Sequence, residues 1–83
     1  MKEIPITTEY IKLNQFLKWA AVVKSGAEAN HLIHEGKVKV NGEVELRRGR
    51  KLRIGDVVDI DGDEQFLVIG EGSADIANKG AKS

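Results

Sequence analysis

A helix that must stop at Gly36 and a hairpin that must turn at Asn41-Gly42 leave only Lys37 to Val40 between them. That interval is too short to act as a linker, so the two elements are held side by side. The segment from Ala29 to Arg53 reads ANHLIHEGKVKVNGEVELRRGRKLR and ends in the cation knot Arg47, Arg48, Arg50 and Lys51 around Gly49. Helix, tight turn and dense cations within 25 residues present positive charge on a rigid surface. Such a surface suits a partner rich in phosphate.

The helix before Gly36 carries its own start signal. Ser25 is a good N-cap, and Glu28 three residues later can complete a capping box. Ala29, Leu32 and Ile33 form its apolar face, and Gly36 fits the left-handed position that closes a helix. At 100° per residue, Ala27, Asn30, His31 and His34 are expected on the solvent face. Upstream, Leu13, Phe16, Leu17 and Ala20 fall on one face of a first helix, expected from Leu13 to about Val22. Ile4 and Ile6 alternate with polar neighbours, and Pro5 between them assigns that strand to a sheet edge. Beyond the hairpin, Glu43 to Leu46, Leu52 to Ile54, Val57 to Ile60 and Phe66 to Ile69 read as short strands separated by turns. The last is expected to pair with the first and close the sheet. Residues 71–83, EGSADIANKGAKS, lack periodicity and read as a flexible tail. No internal repeat is visible.

The formal charge is zero only in sum. Lys12 to Arg53 holds six lysines and four arginines against four glutamates, a net of +6. Ile54 to Ser83 holds two lysines against five aspartates and two glutamates, a net of −5, and residues 1–11 add −1. This asymmetry points to a polyanion partner. Lys37 and Lys39 alternate with Val38 and Val40, so the cations can face solvent while the valines enter the core.

Other chemistry finds little footing. At 83 residues the chain is one domain, and a deep catalytic pocket would consume much of its core. With no cysteine there are no disulfides or thiolate metal sites. His31 and His34 have a spacing that can hold a metal, but nothing completes the site, so they read as solvent-facing. Asp59, Asp61 and Asp63 do not match a calcium loop and read, with Asp56, as turn and edge-strand residues. No phosphate loop, metalloprotease motif or nucleophile elbow is present. No run approaches the ~20 apolar residues of a membrane span, and the first residues lack the apolar stretch of a signal peptide. A cytoplasmic location is expected. Trp19 lies at the edge of the first helix's apolar stripe, and both it and Tyr10 read as boundary packing residues rather than base-stacking ones. Few aromatics and no aromatic sheet platform argue against base stacking on a single-stranded polyanion as the main mode.

The segment from Ile11 to Ile60 resembles the S-four RNA-binding domain, the alpha-L motif. The resemblance lies in Lys12-Leu13-Asn14, Ser25, Ala29, Leu32-Ile33, Gly36, Val38-Lys39-Val40-Asn41-Gly42 and Gly55-Asp56, in order and correctly spaced. Ser25-Gly26, Asn41-Gly42-Glu43 through Arg47-Arg48-Gly49 to Lys51-Leu52, and the small size look like the stand-alone bacterial subfamily labelled YaaA-like or YbcJ-like. Gly26 and Asn30 stand where relatives often carry arginine, and Asn14 where aspartate is usual.

The resulting expectation is an α+β domain over residues 1–70. Two short helices pack on one face of a small, strongly bent antiparallel sheet of four to five strands. The resemblance implies a non-catalytic module without cofactor or small-molecule substrate. Its expected partner is structured RNA, ribosomal RNA or a ribosomal particle first and tRNA next. The expected contacts are Lys12, Lys24, Asn30, His31, His34, Lys37, Lys39, Arg47, Arg48, Arg50 and Lys51. The alternative is a protein–protein adaptor that docks through the acidic C-terminal half. A third, weaker idea, an RNA-modifying enzyme, has no catalytic constellation behind it.

Overall fold

The structure, a computed structural model, describes residues 1–71. All but the first residue of the expected tail, 71–83, therefore lies outside the described residues. Nine elements follow one another: β1 (Lys2–Ile6), β2 (Ile11–Lys12), α1 (Leu13–Trp19), α2 (Gly26–His34), β3 (Val38–Val40), β4 (Glu43–Val44), β5 (Lys51–Leu52), β6 (Val57–Ile60) and β7 (Glu64–Gly70).

The α+β class and the two helices stand, but the sheet differs from expectation. Five strands run in the order β1-β7-β6-β3-β4, and β2 with β5 forms a separate two-stranded ribbon. β1 pairs with β7 in parallel, Ile4 opposite Val68 and Pro5 opposite Ile69, while the other pairings are antiparallel. The sheet is thus mixed, and it is open rather than closed or strongly bent, with β1 and β4 as its edges. Alternation along Ile4 and Ile6 dictates which face of the strand is buried but not the direction in which it pairs. Pro5, which has no N–H to donate, sits on the edge strand as its chemistry requires.

One face of the sheet carries the core. Val38 and Val40 on β3, Val58 and Ile60 on β6, and Phe66 and Val68 on β7 are all buried, and they meet Leu13, Phe16 and Leu17 of α1 and Ala29 and Ile33 of α2. Phe16 and Phe66 meet edge to face, their ring centroids 6.3 Å apart, which anchors α1 over β7.

Both helices end in the same hydrogen-bond pattern. In α2, Gly36 adopts φ +74°, its N–H donates to Ile33 O and that of Lys37 to Leu32 O. In α1, Ala21 takes the glycine's place at φ 60°, with Ala21 N–H to Lys18 O and Val22 N–H to Leu17 O. The first helix therefore stops at Trp19, before the expected Val22, and no glycine marks the stop. At the start of α2, Ser25 Oγ accepts from the Glu28 N–H at 3.2 Å, and Glu28 Oε1 accepts from the Lys24 N–H at 2.7 Å. The return arm of the box lands one residue earlier than a standard capping box.

The two glycine-bearing motifs are joined. Asn41 and Gly42 both have positive φ, as a two-residue hairpin turn demands. The Asn41 amide donates to Asp56 Oδ1 at 3.1 Å and accepts from the Val57 N–H at 2.9 Å. Asp56 Oδ2 in turn accepts from the Arg53 N–H. These residues hold the hairpin against the β5–β6 turn.

Candidate nucleic-acid interface

The basic knot is built around a buried carboxylate. Glu45 is 7% exposed. Its oxygens accept from Arg47 Nε at 2.9 Å, Arg47 Nη2 at 3.0 Å, the Arg47 N–H at 2.9 Å and Arg50 Nη1 at 2.8 Å. The Arg47 hydrogen bond, joined by that of Arg50, lowers the carboxyl pKa to about 2, against the opposing effect of burial. The same contact raises the pKa of the Arg47 guanidinium. Arg47 remains 74% exposed along its side chain, so Glu45 fixes the guanidinium without hiding it.

The loop backbone is pinned as firmly. The first two amides of α1 are spent on it: Leu13 N–H donates to Arg50 O at 2.8 Å and Asn14 N–H to Arg48 O at 3.0 Å. Lys12 and Lys51 face each other directly across the β2–β5 ribbon. Like charges in register are unfavourable unless something negative joins them. Lys51 Nζ lies 4.8 Å from the centroid of the Tyr10 ring, and Arg53 Cζ lies 5.7 Å from it. The structure therefore sets Arg47 and Arg50 on Glu45, Lys12 opposite Lys51 in the ribbon, and Lys51 with Arg53 on Tyr10, with Arg48 in the same loop, six cations along one stretch of chain and its ribbon partner.

The expected residues on α2 are arranged differently. His31 and His34 are exposed, and His31 Nε2 lies 3.3 Å from Glu35 Oε2. Lys37 Nζ lies 3.7 Å from the other oxygen of Glu35. Lys24 is exposed at the head of the helix, beside Glu28. Asn30 is not on the open face: it is half-buried, and its Oδ1 is buried without a hydrogen-bond partner, as is Asn14 Oδ1. Lys39 projects from the sheet face opposite the core, in register with Val44 and Asp59. The expected set is thus not one continuous surface.

Two acidic side chains of the later turns are occupied locally. Asp56 binds Asn41 and Arg53, and Asp59 accepts from the Gly62 N–H and from Gln65. Asp59 sits on β6, an inner strand rather than an edge. Among the described residues no group of three or more His, Asp or Glu side chains is placed to hold a metal ion. Among them, too, no helix is long and apolar enough to cross a membrane.

Sequence reasoning missed Glu45, Arg53 and Tyr10. Along Glu43 to Leu46 the one buried side chain is Glu45, while Glu43 is exposed and Val44 and Leu46 are more than half exposed. The available signal was an arginine two and five residues after a glutamate at the end of a short strand.

A cleft of about 750 Å³ adjoins the cation cluster, between the β1–β2 loop and α1. Tyr10 and Trp19 are among its lining residues. Trp19 is 60% exposed, not a packed boundary residue, and its Nε1–H donates to Pro5 O at 2.7 Å.

Comparison with known proteins agrees with this architecture. The sequence model of a family described as "S4 domain" matches residues 4–69. A probable ribosome maturation protein, RlbA, of Bacillus subtilis (strain 168) is 52% identical over 66 residues, which cover 80% of this chain and 93% of that protein. Among solved structures, a pseudouridylate synthase superposes with a TM-score of 0.62 at 21% identity, over 69% of this chain and 24% of its own. The 30S ribosomal protein S4e of Thermoplasma acidophilum superposes with a TM-score of 0.57 at 22% identity, over 74% and 32% respectively. At those identities the two structures share the fold with this chain, which spans no more than about a third of either.

Proposed function

The chain belongs to the S4 domain family, and from that premise we propose that it is an RNA-binding module acting on ribosomal RNA or a ribosomal particle. The family and its ribosome-maturation relatives are non-catalytic. The observation that carries the reading is the basic loop in which Glu45 holds Arg47 and Arg50, with Lys12 and Lys51 opposed in register beside it. Phosphate oxygens bridging such cations would remove their mutual repulsion, and arginine adds a planar two-pronged donor for each phosphate. Guanidiniums held in place before binding lose little freedom on contact.

The mode of recognition we infer is shape and backbone of a structured RNA, because the cluster is rich in charge and poor in aromatic surface. Similarity to the Bacillus protein, a probable ribosome maturation protein, supports ribosomal RNA ahead of tRNA. The run Asn41-Gly42-Glu43 to Leu52 supports kinship with the small stand-alone YaaA-like or YbcJ-like group. In this reading Lys12, Arg47, Arg48, Arg50 and Lys51 make the principal contacts, and His31, His34, Lys37, Lys24 and Lys39 are peripheral.

The test is titration of the protein against ribosomal RNA fragments and tRNA at several salt concentrations. Engagement of about four phosphates gives a slope of log K against log salt near −3 to −4. A flat response, or capture of a protein partner without RNA, would instead favour an adaptor docking through the acidic half.

A further inference from the structure

We propose that the cleft between the β1–β2 loop and α1 receives one unpaired nucleobase of the bound RNA, stacked on Trp19. The inference rests on the RNA-binding reading and adds a site outside the cation cluster.

An indole that is 60% exposed would normally turn freely, yet this one is tethered through Nε1–H to the backbone of Pro5. The tether uses the edge of the ring and leaves a face open. A fixed, open aromatic face is what a base needs for stacking, since the ordering cost is met before binding. The cleft, at about 750 Å³, has room for a base with its ribose.

Continuity with the cation cluster indicates why the occupant is RNA. Tyr10 lines the cleft and also lies beneath Lys51 and Arg53. A phosphate held by those cations places the neighbouring nucleotide at the cleft mouth. Glu9, Lys18, Gln15 and the threonines of the β1–β2 loop also line the cleft. The Glu9 carboxylate can accept from the amino group of a base, Lys18 can donate to a base acceptor, and the Gln15 amide can both donate and accept. With Glu9 and Lys18 offsetting each other, the lining carries no net charge, which suits the neutral end of a nucleotide and leaves its charged end to the cations beside Tyr10.

The experiment exploits Trp19 as the chain's single tryptophan. Two probes are titrated: a blunt RNA hairpin, and the same hairpin with one unpaired purine beside its stem. The purine hairpin should quench Trp19 emission and the blunt hairpin should not. Trp19→Leu should weaken binding of the purine hairpin about tenfold and leave the blunt hairpin within about twofold. Trp19→Phe, which keeps a stacking ring, should retain most of the difference. Equal affinity of the wild-type protein for both probes with no purine-specific quenching overturns the site while leaving RNA binding intact. Quenching needs no variant, so it decides the matter even if Trp19→Leu folds poorly. Failure of both probes to bind in low salt overturns the RNA-binding reading and this site with it.

Discussion

The loop that carries Arg47 to Lys51 and the exposed face of α2 are both studded with basic side chains, but only the loop has charge to spare. In and beside the loop, Arg47 and Arg50 share the buried carboxylate of Glu45, while Lys12, Arg48, Lys51 and Arg53 form no ion pair among the described residues. On α2 and its flanks, Lys37 pairs with Glu35, and the formal charges of Lys24, Glu28, Glu35 and Lys37 cancel, so the lysines there leave no net positive charge. The loop is also rigid by construction, through Glu45 and the first amides of α1. A count of basic residues would rank the two surfaces together. Their partners separate them.

The largest effect should follow from weakening the loop. Arg48 and Lys51 are exposed and, among the described residues, have no carboxylate within ion-pair distance. Arg48→Ala with Lys51→Ala should lower RNA affinity about tenfold or more, with little change in melting temperature. An RNA titration alongside thermal unfolding checks both; unchanged affinity in the folded variant would erase the contrast.

Glu45→Gln tests whether the loop needs its buried anchor. Loss of the charged hydrogen bonds should cost about 1–2 kcal/mol of stability at neutral pH. The carboxyl has a folded pKa of about 2 against an ordinary 4.5. Its contribution is therefore complete above the ordinary value and is lost as pH falls from there toward about 2. Denaturant melts across that window should show the wild type losing its advantage over the variant with acid. A gap that stays constant with pH would mean that the pair contributes no charge-dependent stability.

A smaller effect should appear on the helix side. Glu35→Gln removes the carboxylate that occupies His31 and Lys37. RNA affinity should rise about two- to threefold at low salt, by adding net charge near the site. A decrease measured in the same titration would show that Glu35 positions those side chains for binding.

Much of the local structure was legible in the residues. Ser25, Glu28 and Gly36 delimit α2 because caps are local chemistry, settled within a turn of backbone. Asn41-Gly42 declares its hairpin for the same reason. What was hidden depends on distant partners. β1 meets β7 across more than sixty residues, and Ile4 and Ile6 would bury equally well in either direction. β2 and β5 have two residues each, too few for any periodicity, although they carry the opposed Lys12 and Lys51. The end of α1 lacked a glycine because Ala21 accepts φ 60° in its place. At the candidate site the cations were visible as composition, but their sorting by Glu45 and Glu35 was not. Asn30 turned out to be half-buried, since helix periodicity alone does not show how far the neighbouring elements wrap around α2.

The most direct measurement is the salt slope itself, taken for three proteins against one ribosomal RNA fragment. The wild type, Arg48→Ala with Lys51→Ala, and His34→Ala with Lys37→Ala are titrated over the same salt series. If the loop holds the phosphates, the loop variant loses about two units of slope and the helix variant less than one. Equal losses, or a larger loss in the helix variant, would place the RNA on α2 and contradict the account.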